Sequence, residues 1–132
     1  MKVYFSTALV SVLALAYFIW TGMAVGRARA KHGVKAPAVT GPEEFNRTFR
    51  VQQNTLEQIV VFLPSLWLAQ ALANAIWVPL VGLVWIVGRI LYGASYQRDP
   101  KSRSTGFMLT FVPTVVLLLT ALILSLKGLF SG

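Results

Sequence analysis

The sequence predicts an all-α protein, a single domain of four membrane-spanning helices running up-down-up-down. Three observations predict it. Hydrophobic residues make up 56% of the 132-residue chain and charged residues only 12%, about half the charged share of a soluble domain. The apolar residues gather into four stretches near or above the ~20 residues that cross a bilayer. Most of the charges fall between those stretches.

The first helix is expected over about 3–25. Its apolar run is longer than a signal-peptide core and Lys2 alone is a thin basic start, so it reads as a retained span. Gly33, Pro37, Gly41 and Pro42 then prevent continuous helix in the connection 27–45. The second helix is expected over 43–73. Pro42 followed by Glu43 and Glu44 has the form of a helix start, with acids complementing the helix dipole. This helix therefore begins before its apolar part and stands out of the membrane by a few turns. The third is expected over 76–97 and the fourth over 105–130. Pro64 and Pro113 fall inside helices two and four, where a span tolerates a kink. Gly82 and Gly88 permit close approach of helix three to a neighbour.

Charge gives the orientation. The net charge is +8. Arg27, Arg29, Lys31, Lys35, Arg47 and Arg50 lie between the apolar parts of helices one and two, and Arg98, Lys101 and Arg103 between those of helices three and four. Only Lys2 and Lys127 lie toward the opposite side. The positive-inside tendency puts loops 27–45 and 98–104 in the cytoplasm and both termini outside. These loops are short, beside lipid and mixed with Glu43, Glu44 and Asp99, so they suit anionic membrane lipids and not nucleic acid. There is no cysteine and one histidine, His32. Thiolate chemistry of the protein's own is excluded, a metal site is not expected, and any thiol must come with a substrate.

Arg50, Asn54 and Glu57 are spaced i, i+4 and i+7, which places them along one stripe of helix two. Arg89, Tyr92 and Tyr96 form a second stripe on helix three, and Arg103 opens helix four. Singly, each has an ordinary explanation: tyrosines anchor at the membrane interface and arginines snorkel to phosphates. Those explanations account poorly for all of them gathering at one end of the bundle. Guanidinium groups clamp carboxylates, a carboxylate holds an ammonium, and an asparagine pairs with a peptide group. The complement is a small zwitterionic peptide with more than one carboxylate.

The runs Gly41-Pro42-Glu43-Glu44-Phe45-Asn46-Arg47 and Arg50-Val51-Gln52-Gln53-Asn54-Thr55-Leu56-Glu57 resemble the signature of the MAPEG family, membrane-associated proteins in eicosanoid and glutathione metabolism. Arg89-Ile90-Leu91-Tyr92, Tyr96 and Arg103 continue the resemblance, which extends over nearly the whole chain. It implies a homotrimer that binds glutathione, as co-substrate and without metal, between neighbouring subunits on the cytoplasmic side. Arg50, Asn54, Glu57, Gln52, Tyr92, Tyr96 and Arg89 would then contact glutathione, and Arg103 would activate its thiol. Gln58 stands where some members have tyrosine. The implied activity is a transferase or peroxidase acting on a hydrophobic, lipid-soluble electrophile or hydroperoxide. The alternative is a non-catalytic binding or scaffold protein on the same fold. A small four-helix exporter working through a membrane acid fits less well, because helix one carries no acid.

Overall fold

The computed structural model describes residues 1–131. Four helices follow in chain order: α1 (Lys2–His32), α2 (Glu43–Ala73), α3 (Trp77–Arg98) and α4 (Ser104–Phe130). Each is long and apolar enough to span a membrane. The second helix has the bounds expected from sequence, while the first runs two turns further, to His32. Arg27, Arg29 and Lys31 are therefore helical, and the first connection begins at Gly33 instead of residue 27. Basic residues favour the negative C-terminal end of a helix, and nothing before Gly33 breaks it. Gly33 ends α1 in the left-handed conformation (φ 67°), with its N–H returned to the Arg29 carbonyl.

The foot of the first loop is tied down locally. Val25, Ala28, Val34 and Phe45 form a small buried cluster beneath it, with Phe49 packed alongside. Lys31 Nζ reaches Glu44 Oε1 at 2.9 Å, so the end of α1 is pinned to the start of α2. At the opposite end Asn74 closes α2 with φ 46°, and three residues suffice to turn the chain into α3. Pro64 and Pro113 both lie inside continuous helices, as expected.

The packing is arranged around α2 and α3. α1 lies against both, and α4 lies against both. The main core joins Val10 and Ala14 of α1, Ile59, Phe62, Leu66 and Ala69 of α2, Val78 and Trp85 of α3, and Leu117 of α4. The Phe62 and Trp85 rings stack at 4.1 Å between centroids, nearly parallel at 4°. Large apolar side chains such as Leu9, Val60, Leu83 and Leu118 stand exposed around the outside, the surface a bilayer would cover.

α3 and α4 meet backbone to backbone. A Cβ on Gly88 would lie 2.7 Å from the Leu109 carbonyl carbon, and one on Gly106 would strike the backbone of Tyr92. Two small residues, one on each helix, thus form two rungs of an antiparallel crossing. The crossing holds the start of α4, and with it Arg103, beside Tyr92. Gly106→Leu is expected to lower stability by about 3 kcal/mol, the upper part of the overpacking range. Gly128→Ala should be silent, since nothing among the described residues lies within 4 Å of the added methyl. Thermal unfolding of both variants in one detergent checks the pair.

Candidate functional site

A polar cleft opens between α2, α3 and α4 at the end of the bundle that carries the connections 33–42 and 99–103. Its volume is about 550 Å³, and it is lined by Arg50, Asn54, Tyr92, Tyr96, Arg103, Ser104, Phe107 and Met108. That size suits a small organic ligand. Two guanidinium groups and no carboxylate line it, so it favours an anion. α4 starts at Ser104 on the cleft wall, which adds the positive end of a helix dipole.

Each wall is fixed by local contacts. Arg47 Nη1 donates to the carbonyls of Gln97 (3.1 Å) and Arg98 (3.2 Å), satisfying the open C-terminal end of α3 from α2. Gln97 Nε2 donates to Thr48 Oγ1 at 2.9 Å, a second tie between the same helices. The short 3₁₀ turn Pro100–Ser102 is closed by Asp99, whose carboxylate accepts from the Lys101 N–H. Ser102 Oγ donates to the carbonyls of Ser95 and Asp99, and Arg103 Nη1 donates to the Pro100 carbonyl at 2.9 Å. The Tyr92 and Tyr96 rings stack at 5.7 Å on the α3 wall.

Five of the eight residues singled out from sequence line this cleft: Arg50, Asn54, Tyr92, Tyr96 and Arg103. Three do not. Gln52 is two residues from Arg50, about 200° round the helix, and faces α1: its Nε2 would lie 3.2 Å from a Cβ on Gly22. Glu57 is about 10 Å deeper along the axis than Arg50 and about 60° round from Asn54. It is exposed on the outside of the protomer and makes no ion pair among the described residues. The stripe of three on α2 thus supplies two residues to this cleft and one to the outer surface.

Arg89 is fully buried behind the cleft. Its Nη1 donates to Asn54 Oδ1 at 2.8 Å and its Nη2 to Thr55 Oγ1 at 2.7 Å. Its guanidinium carbon lies 4.5 Å from the Tyr92 ring centroid. From the far side, Tyr17 of α1 donates its hydroxyl to the Arg89 carbonyl at 3.0 Å. Sequence reading missed Ser104, Phe107 and Met108. With Arg103 they follow the i, i+1, i+4, i+5 pattern of one helix face, a signal that was present but masked by the uniform apolarity of α4. A second crevice of about 350 Å³ lies between α1, α2 and α3, with Tyr17, Trp20, Ala24, Val51, Ile90 and Gly93 among its walls and no charged side chain. It does not suit a polar peptide.

A four-helix membrane protein with a cationic cleft at one end is the class that fold and site define. The MAPEG family model matches residues 7–123, and the chain belongs to that family. An uncharacterised protein of Synechocystis is 43% identical over 116 residues, covering 88% of this chain and 85% of that protein. Microsomal glutathione S-transferase 2 of Mus musculus is 41% identical over 118 residues, 86% of this chain and 78% of its own length. Leukotriene C4 synthase of Cavia porcellus is 38% identical over 98 residues, 74% of this chain and 63% of its own length.

Thr55 offers a clean probe of the buried guanidinium. Its hydroxyl donates to the Val51 carbonyl at 2.7 Å and accepts from Arg89. Thr55→Val keeps the shape but strands a charged donor, which should cost about 2–3 kcal/mol. Thermal unfolding checks it against Thr120→Val, whose exposed hydroxyl bonds only within its own helix and which should shift little.

Proposed function

We propose that the protein is a membrane-bound, glutathione-dependent transferase or peroxidase that works on a hydrophobic electrophile or lipid hydroperoxide. The observation that carries this reading is the cleft itself. Arg50, Asn54, Tyr92, Tyr96 and Arg103, brought from three helices, line one cationic cavity in a chain whose relatives include glutathione-dependent enzymes by name. Arg50 and Arg103 suit the two carboxylates of glutathione or one carboxylate and the thiolate, and Asn54 suits a peptide group.

Arg103 is proposed to stabilise the thiolate. A free thiol has a pKa near ~8.5, so lowering it by about two units needs roughly 2.7 kcal/mol of preference for the charged form. A guanidinium ~4 Å away supplies about 1 kcal/mol in bulk water and about 4 kcal/mol at an effective dielectric near 20. Arg103 therefore meets the requirement only with water largely displaced from the cleft. A bound tripeptide between the aromatic walls of Tyr92, Tyr96 and Phe107 would displace it. The thiolate then attacks an electrophilic carbon and forms the thioether as the leaving group departs or, in an addition, as the new anion takes a proton. With a hydroperoxide it attacks the terminal oxygen, and the O–O bond breaks to give glutathione sulfenic acid and, after protonation, the alcohol. A second glutathione converts the sulfenic acid to disulfide and water.

Glu57, exposed on a membrane helix, supports an assembly of several copies as the working form, which we take to be the homotrimer that the family signature implies. An ionised carboxylate facing hydrocarbon costs at least about 2.5 kcal/mol, and a neighbouring copy would cover it. In that assembly Glu57 would join a site completed by the next subunit, with the hydrophobic substrate entering from lipid. The basic ends of the helices would face the cytoplasm and both termini the other side.

Arg103→Ala is expected to abolish the ultraviolet absorbance of bound glutathione thiolate and to lower kcat/KM by about 10–100-fold, the equivalent of roughly 1.4–2.7 kcal/mol. Glutathione should still bind. Unchanged absorbance and rate would remove the proposed role of Arg103. Failure of the wild-type protein to bind glutathione would remove the whole reading.

A further inference from the structure

Arg89 and Asn54 meet just behind the cleft wall, and their contact has a direction. Arginine carries donors only, so the atom Asn54 turns to Arg89 Nη1 must be its carbonyl oxygen. The amide N–H₂ is then the part left for the cleft that Asn54 lines. The shape of asparagine alone would not decide this, because its oxygen and nitrogen are nearly equal in size. Here the partner decides it.

The guanidinium cannot easily turn over to release that constraint. Its other Nη is held by Thr55, whose hydroxyl hydrogen is already committed to the Val51 carbonyl. One face is covered by the Tyr92 ring, and the whole side chain is out of contact with solvent. Arg89 lines none of the cleft, so it has no direct access to a ligand there. A cation donating to an amide oxygen also polarises that amide and strengthens its N–H as a donor.

We propose that Arg89 is a positioning residue: by holding Asn54 Oδ1 it presents the Asn54 N–H₂ to the cleft as a fixed donor, so that the ligand must place an acceptor oxygen, carboxylate or peptide carbonyl, at that point. The proposal rests on the glutathione reading for the identity of the ligand, not for the direction of the amide.

Two arms on the full-length protein in detergent test it. The first is thermal unfolding without ligand. Asn54→Asp has nearly the shape of the wild type and gives Arg89 a counter-charge, so it should melt at or above the wild-type temperature. Asn54→Leu takes away the acceptor and should melt below it. Equal melting of the two variants would show that Arg89 does not depend on position 54 and would overturn the proposal.

The second arm is calorimetric titration with glutathione. Asn54→Ala should weaken binding about tenfold, the loss of one hydrogen bond made by a polarised donor. Asn54→Asp should weaken it more, since an anion then faces the ligand's acceptor oxygen; wild-type affinity in that variant would overturn the proposal. Arg89→Met should lose about as much as Asn54→Ala, and Arg89→Lys, which can still donate to Oδ1, should recover most of the loss. The double variant Arg89→Met, Asn54→Ala should bind no more weakly than the worse single one. A merely structural arginine would give additive losses and no rescue by lysine, and that result would sink the idea. If Arg89→Met does not fold, the two Asn54 variants and Arg89→Lys still decide the matter. If the wild type does not bind glutathione, the proposed function falls while the melting arm still tests the direction of the amide.

Discussion

A guanidinium buried among apolar helices, with no carboxylate beside it among the described residues, is the constraint from which the geometry of the cleft follows. Removing a cation from water is expensive, and each donor that finds a partner offsets part of the cost. Arg89 Nε finds none among the described residues. The two Nη groups find theirs on Asn54 and Thr55, and the guanidinium lays its face on Tyr92. Those contacts bind α3 to α2 at one depth and leave each partner with a single orientation. The cleft's back wall is therefore made of side chains whose positions answer to a buried charge.

Around that point the bundle is built from close contact and little else. Helices surrounded by lipid gain nothing from the hydrophobic effect by packing together, so approach distance and internal polar contacts carry the association. Gly88 and Gly106 let α3 and α4 touch through backbone. Away from the cleft, Thr7 Oγ1 donates to Gln70 Oε1 at 2.6 Å and Trp67 Nε1 to Ser11 Oγ at 2.9 Å. These short ties between α1 and α2 do in the opposite half of the bundle what Arg89 does near the cleft. Arg47, reaching the last carbonyls of α3, closes the arrangement at the loop end.

Much of the fold was legible in the chain. The start of α2 followed from Pro42, Glu43 and Glu44, a local chemical cause, and its end from the close of the apolar run. The end of α1 was placed too early because the expected boundary followed the apolar run, whereas a helix follows its hydrogen bonds until a residue such as Gly33 stops them. The site was legible as residue types at helical spacing. Periodicity gave the faces of α2 and α3 only to within tens of degrees, enough to bring Arg50, Asn54, Tyr92 and Tyr96 together and not enough to place Glu57 or the Arg89 side chain.

What the sequence by itself determined was the number of spans, the end of the bundle at which polar groups collect, and the family signature that Arg50, Asn54 and Glu57 help to form. These are local properties, set by the apolarity of a stretch and the 3.6-residue turn. Tertiary structure alone decided which arginine is buried and which ones face the cleft. Arg50, Arg89 and Arg103 are the same residue in the sequence. Their roles differ because α2 offers Arg89 two acceptors at the depth where the helices close, while the other two emerge where the helices part.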